Sequence, residues 1–333
     1  MSQQSPYPFL SLWMKKTKPS HPLIEMIKAD TQSGGSDSNT RAVLMAYDSV
    51  IETLEAAQPL RLDGERTEFQ KAQTHGDLRI VRAELVAGAK LARAAVTFEF
   101  GRRNGAPQPD LILCQRNLAI EVKTRRLDGL GDLYGELEAA LADIHAPVVV
   151  HVICDERPLE IKAADRARLV EQTIQRVLRG EHGTVEVSVQ QPWTARKRLL
   201  IAVQIIETAA PPTGRRVVTS TGGTLSGHFQ DLEKKVLEVL NEDQKRQQAM
   251  SIPTILLVEA SQTGLAWMRP QQTWATRLAS QLPESTPFRG VGVMISSLDS
   301  PDVSLSIGVH PNISLADASA IQGLAKDLGL SGP

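Results

Sequence analysis

Two short apolar runs, one opened by Pro109-Asp110 and the other closed by Glu121-Val122-Lys123, constrain this chain more than any other feature. Leu111-Ile112-Leu113-Cys114 and Leu118-Ala119-Ile120 are separated by Gln115-Arg116-Asn117, a polar break of hairpin length. Folding back at that break sets Asp110 beside Glu121 and Lys123. Side chains alternate along a strand, so Ala119, Glu121 and Lys123 share one face while Leu118, Ile120 and Val122 share the other. Opposite charges therefore emerge together from an apolar ladder, where burial is costly unless each is paired or holds an ion.

The segment ahead of the hairpin reads as a long helix from about Thr67 to Arg93. Leu78, Val81, Leu85, Ala89 and Ala92 form one apolar face, Ile80, Gly88 and Leu91 form a second, and Glu84 falls inside that second stripe. Arg79, Arg82, Lys90 and Arg93 mark the side expected to meet solvent. Glu84 lies one turn from Gly88, where another backbone is expected to approach. The plain alternatives are a structural ion pair between Glu121 and Lys123 and a helix-edge position for Glu84.

The order of helical Glu84, a strand, Pro109-Asp110, a hairpin, Glu121-Val122-Lys123 and a further helix resembles the PD-(D/E)xK, or restriction-endonuclease-like, nuclease superfamily over roughly residues 75–155. The resemblance implies an α/β fold with a mixed central sheet flanked by helices, and divalent-metal-dependent hydrolysis of phosphodiesters without a covalent intermediate. It implies metal ligation by Asp110, Glu121, the Val122 carbonyl and Glu84, with Lys123 orienting the attacking water. DNA as the substrate follows from the resemblance alone. Some branches add Gln-x-x-x-Tyr in the following helix; Tyr134 has no such Gln before it.

The chemistry agrees with those roles. Phosphodiester hydrolysis must offset added negative charge and supply a nucleophile near neutral pH, which carboxylate-held Mg2+ or Mn2+ does by Lewis acidity and by acidifying water. Such an ion keeps several waters, so two or three carboxylates suffice. The seven histidines are scattered, with no His-x-x-Glu-His or Cys-x-x-Cys spacing. Arg102, Arg103, Arg125 and Arg126 bracket the hairpin as candidate phosphate contacts, although the aromatic interleaving of a single-strand stacking platform is absent.

At 333 residues and 41% hydrophobic content the chain has material for one large or two ordinary domains. Cys114 and Cys154 fall in apolar strand patterns and read as buried free thiols of a reducing compartment. Pro8 to Met14 is too short for a signal peptide and no run approaches a membrane span, so the expected setting is cytoplasmic. A net charge of −1 argues against bulk-charge coating of nucleic acid.

The expected organisation is a mobile leader at 1–40 with one short helix near Pro22 to Ala29, a nuclease-like domain at 41–206, a linker or long loop at 207–223, and a C-terminal α/β region at 224–333. The leader rests on its Ser, Gln, Pro and Gly content, and the linker on Thr, Pro and Gly around Arg215-Arg216. A helix is expected from Leu225 to Met250, with strands at Thr254–Glu259, Val291–Ser296 and Val303–Val309.

Two other functions fit less of this pattern. Gly129, Gly131 and Gly135 form a crude dinucleotide-binding fingerprint, but that fingerprint wants a tight turn directly after an apolar strand, and Thr124 to Asp128 intervene. The other alternative is a nuclease-like fold that has lost catalysis and serves as a binding module. Retention of Asp110, Glu121 and Lys123 together disfavours it.

Overall fold

The computed structural model describes residues 5–32, 38–102, 108–124, 129–155, 158, 161–190, 198–210, 212, 216–221, 233, 249–261 and 271–330. In chain order the elements are α1 (Pro8–Met14), α2 (Pro22–Gln32), α3 (Ser38–Ala57), α4 (Leu62–Lys71), α5 (His75–Arg93), β1 (Glu99–Phe100), β2 (Leu111–Leu113) and β3 (Leu118–Thr124). Next come α6 (Gly129–Leu141), β4 (Val148–Cys154), α7 (Ala163–Leu178), β5 (Gly183–Gln190), β6 (Arg198–Glu207) and β7 (Val217–Thr221). The chain continues with β8 (Thr254–Glu259), α8 (Gln271–Ser280), β9 (Phe288–Ser296), β10 (Val303–Val309) and α9 (Leu315–Asp327). Two compact units result: Met1–Arg125 with Leu237–Pro333, and Arg126–Val236. The expected helix from Leu225 to Met250 lies almost wholly outside the described residues.

In the first unit a six-stranded sheet runs in the order β1-β2-β3-β8-β9-β10. β1, β2 and β3 form an antiparallel meander, β8 lies parallel to β3, β9 parallel to β8, and β10 antiparallel to β9. All six residues of β8 are buried, the continuous apolar reading of a central parallel strand. Leu118, Ile120 and Val122, with Ile255, Leu257, Met294 and Ile307, turn one sheet face into a core shared with α3, α5 and α9. On the other face α8 packs so closely over β10 that a side chain at Gly308 would strike the Ala275 backbone.

Within the expected leader, Tyr7, Leu10, Trp13 and Leu23 are part of this core, so the described residues there are packed rather than mobile. Leu10, Trp13 and Leu23 are essentially buried; each such burial contributes roughly 1.5–3 kcal/mol. The Trp13 ring meets Phe69 edge-on at 5.4 Å, lies under the Arg66 guanidinium at 5.5 Å and donates from Nε1 to Glu55 at 2.6 Å. The single long helix expected from Thr67 is likewise two helices. Thr74 caps α5 by accepting the Asp77 amide at 3.1 Å while the Asp77 carboxylate takes the Thr74 amide at 3.0 Å, a reciprocal capping box worth about 1 kcal/mol.

In the second unit the sheet order is β5-β6-β4-β7. Val148, Val150 and Val152 with Leu199, Ile201 and Val203 pack against α6 and α7. Strand β7, parallel to β4, comes from the segment expected to be a linker. Its anchor is Arg216, buried, whose guanidinium donates to the carbonyls of Leu141, Ile144, Ala146 and Val148. The carboxylate of Glu138 takes the amides of Arg216 and Val217 at 2.9 and 2.8 Å. Side-chain hydrogen bonding thus holds a strand that the local Pro and Gly content does not announce. The compact units therefore divide the chain elsewhere than at 41–206 and 224–333, because β8, β9 and β10 complete the sheet that contains the hairpin.

Candidate functional site

Leu111 pairs with Ile120 and Leu113 with Leu118, so continuing the register by one residue sets Asp110 opposite Glu121. The hairpin turn runs through Asn117, which adopts a left-handed φ of 47°, a conformation asparagine tolerates well. Past the end of β2 the Val122 amide has no strand partner on that side, and Asp110 Oδ2 accepts it at 2.8 Å. A residue's N–H and C=O leave an extended strand by the same edge, so the Val122 carbonyl also points to the Asp110 side. Glu121 is fully buried and Lys123, two residues on along the same face, is half-buried.

Gly101 brings the two strand ends together. Its amide donates to the Asp110 carbonyl at 2.8 Å, and a Cβ there would overlap the Pro109 carbonyl. Arg102 follows with an exposed side chain, its amide donating to the Gln108 side chain at 3.2 Å. Arg102 therefore stands at the Asp110 end of the sheet. Arg103, Arg125 and Arg126 lie outside the described residues.

Glu84 is buried on α5, but α5 packs against the sheet face that carries Leu118, Ile120 and Val122, the face opposite Glu121. Among the described residues no group of three or more His, Cys, Asp or Glu side chains is placed to hold a metal ion. The structure thus sets Asp110 across from Glu121, with Lys123 following on the same strand, and does not gather Glu84 with the two acids into a three-carboxylate cage. A Cβ at Gly88 would meet the rings of Phe98 and Phe100 at 3.1–3.3 Å, so aromatic side chains rather than another backbone crowd this position.

Sequence reasoning missed a polar cluster at the same end of the sheet. Arg82, expected in solvent, is buried. It donates to Ser296 Oγ at 2.9 Å and to the carbonyls of Ser297 and Ser300, and lies over the Tyr47 ring at 5.5 Å. Burial lowers its pKa from the ordinary arginine value, opposed by Tyr47, Glu259 and Asp299. Glu259, buried at the end of β8, accepts from Ser296 Oγ at 3.1 Å and from the amide and hydroxyl of Ser261. The available signal was an acid closing an apolar strand, the mirror of Asp110 opening one.

Gly129, Gly131 and Gly135 all lie within α6. The Gly129 and Gly131 pair opens this helix, and residues 125–128 ahead of it lie outside the described residues. Cys114 is exposed, not buried as expected, while Cys154 is buried. No helix among the described residues is long and apolar enough to cross a membrane.

No protein-family model, curated protein or solved structure matches this chain. The functional reading therefore rests on its own residues.

Proposed function

We propose that the chain is a divalent-metal-dependent nuclease that hydrolyses DNA phosphodiesters on a restriction-endonuclease-like core. The observation that carries this reading is Asp110 tied to the Val122 amide directly across from Glu121, with Lys123 next on the same face. The surrounding order supports it: α5 leads into the β1-β2-β3 meander, and β8 lies parallel to β3.

The donor set fits Mg2+ or Mn2+. Two carboxylates and a backbone carbonyl are hard oxygen ligands, and magnesium is commonly held by one or two carboxylates with water and substrate phosphate completing its shell. Asp110, Glu121 and the Val122 carbonyl would hold the ion, which when bound supplies Lewis acidity and an acidified water. The Val122 amide fixes the Asp110 carboxylate in one orientation. Glu121 is fully buried, so its carboxylate, when ionised, attracts a cation more strongly than one at the surface would. The Lys123 ammonium adds a fixed positive charge on the strand where charge builds on the phosphate.

Incubating the purified chain with labelled duplex, single-stranded and branched DNA, and with RNA, with and without magnesium, tests the proposal. Cleavage abolished by chelator supports it, and absence of any cleavage sinks it. The second reading, a nuclease-fold binding module without catalysis, draws on the separation of Glu84 from the two strand acids. Metal-independent nucleic-acid binding without cleavage would favour it.

A further inference from the structure

Beside the candidate site, at the carboxyl ends of β3, β8 and β9, lies a small pocket of about 30 Å3 lined by Arg79, Arg82, Thr124, Glu259, Ser261 and Ser296. Crevices at the carboxyl ends of parallel strands are recurrent ligand sites. Thr124 follows Lys123 directly and is the register partner of Glu259, so the pocket opens at the strand end that also carries Lys123, on the α5 face of the sheet. Among the described residues, the hydrogen bonds to the Glu259 carboxylate all fall on Oε1. Oε2 is the oxygen with acceptor capacity to spare, on a side chain 5% exposed. A carboxylate oxygen on such a buried side chain is satisfied by an N–H or O–H donor and repels phosphate. Room for one or two water-sized groups admits the edge of a ring, not the whole ring.

We infer that this pocket is a base-reading subsite: Glu259 accepts a hydrogen bond from the exocyclic amine of an unpaired cytosine, adenine or guanine. The inference rests on the nuclease reading for the class of ligand. The carboxylate supplies the acceptor that such an amine requires, as it does for the cytosine amine elsewhere. Arg79 and Arg82 offset the negative charge that would otherwise repel the polymer, while the Thr124 hydroxyl serves the neighbouring ring acceptor. Thymine, which has no exocyclic amine, meets the pocket with a carbonyl and is disfavoured.

The test is fluorescence anisotropy in chelator with a short labelled oligodeoxycytidine and its N4-dimethylated counterpart, which has the same charge and stacking but no amine hydrogen. The expected result is roughly tenfold weaker binding of the dimethylated probe, the scale of one hydrogen bond to a charged acceptor. Glu259→Gln, checked by thermal melting, narrows that ratio to about twofold, and Asp110→Asn leaves it unchanged. If Glu259→Gln does not fold, Glu259→Asp, which withdraws the carboxylate by one methylene, serves in its place and also narrows the ratio. Equal binding of the two probes, binding of neither, or a ratio unchanged in the folded pocket variant overturns the inference. Chelator-sensitive cleavage by a protein that binds both probes equally leaves the nuclease reading standing without this subsite. Discrimination without cleavage does the reverse.

Discussion

The Asp110 carboxylate accepts the Val122 amide at 2.8 Å, so the residue that opens one strand of the hairpin also completes the hydrogen bonding of the other. A single side chain thereby has a structural and a chemical role, and substitution separates them. Asp110→Asn keeps an acceptor oxygen for the amide and melts near the parent, but removes a negative ligand, so magnesium affinity falls and excess metal partly restores cleavage. Asp110→Ala leaves the amide unsatisfied and lowers stability by about 1–3 kcal/mol. Calorimetric magnesium titration and denaturant unfolding measure the two effects. Unchanged magnesium affinity in Asp110→Asn would take Asp110 out of the metal site.

Lys123→Ala leaves both carboxylates in place. It is expected to retain metal and nucleic-acid binding while single-turnover cleavage falls by about two to three orders of magnitude, the scale of losing one preorganised charge. A folded variant that cleaves at the parental rate would assign Lys123 to a structural ion pair.

His21 sets a pH dependence of stability. Its ring is buried between the Phe69 carbonyl, 2.9 Å from Nε2, and the Leu23 amide, 3.3 Å from Nδ1. Burial lowers its pKa below the ordinary 6.5, partly opposed by the Phe69 carbonyl. The unfolded chain therefore takes up a proton at a higher pH than the fold does. This contribution to stability is fully present above about pH 6.5 and is lost as the pH falls toward the depressed folded value. Urea midpoints measured from about pH 8 down to 5 should decline below 6.5, with a flatter decline in His21→Phe. An identical slope in a folded His21→Phe protein would remove His21 from the account.

Arg216 is expected to govern the second unit. Arg216→Met removes the donor to four carbonyls that join the end of α6 to β4, at a cost of about 3 kcal/mol. Hydrogen exchange should then accelerate in β4, β6 and β7 and not in β3 and β8. Uniform acceleration across both sheets would show that Arg216 is not specific to its unit.

The hairpin and its charges were legible because strand alternation and a short polar break are local signals: Leu111, Leu118 and Ile120 sit where period two puts them. Strand β8 was legible because Ile255 to Val258 form an unbroken apolar run between Thr254 and Glu259. Three of the readings that failed did so because the deciding partner was distant in sequence or because a local signal was passed over. Trp13 is held by Glu55 and Phe69, and Arg82 by Ser296 to Ser300, and neither partner is visible in the local pattern. Thr74-x-x-Asp77 was a local signal, but the apolar period running across it masked the break between α4 and α5. Glu84 was read correctly as buried. Helical periodicity alone does not say which sheet face its helix covers.

The pairing of β3 with β8 joins neighbours that the whole second unit separates along the chain, from Thr124 to Thr254. On a ribosome the hairpin emerges first and waits on the order of ten seconds for the strand that covers its open edge. Until then β3 presents an unsatisfied backbone edge beside two acids and a lysine. Charges flanking an exposed strand edge oppose its pairing with another chain. The residues proposed to bind metal in the finished protein thus also guard an open strand edge during synthesis.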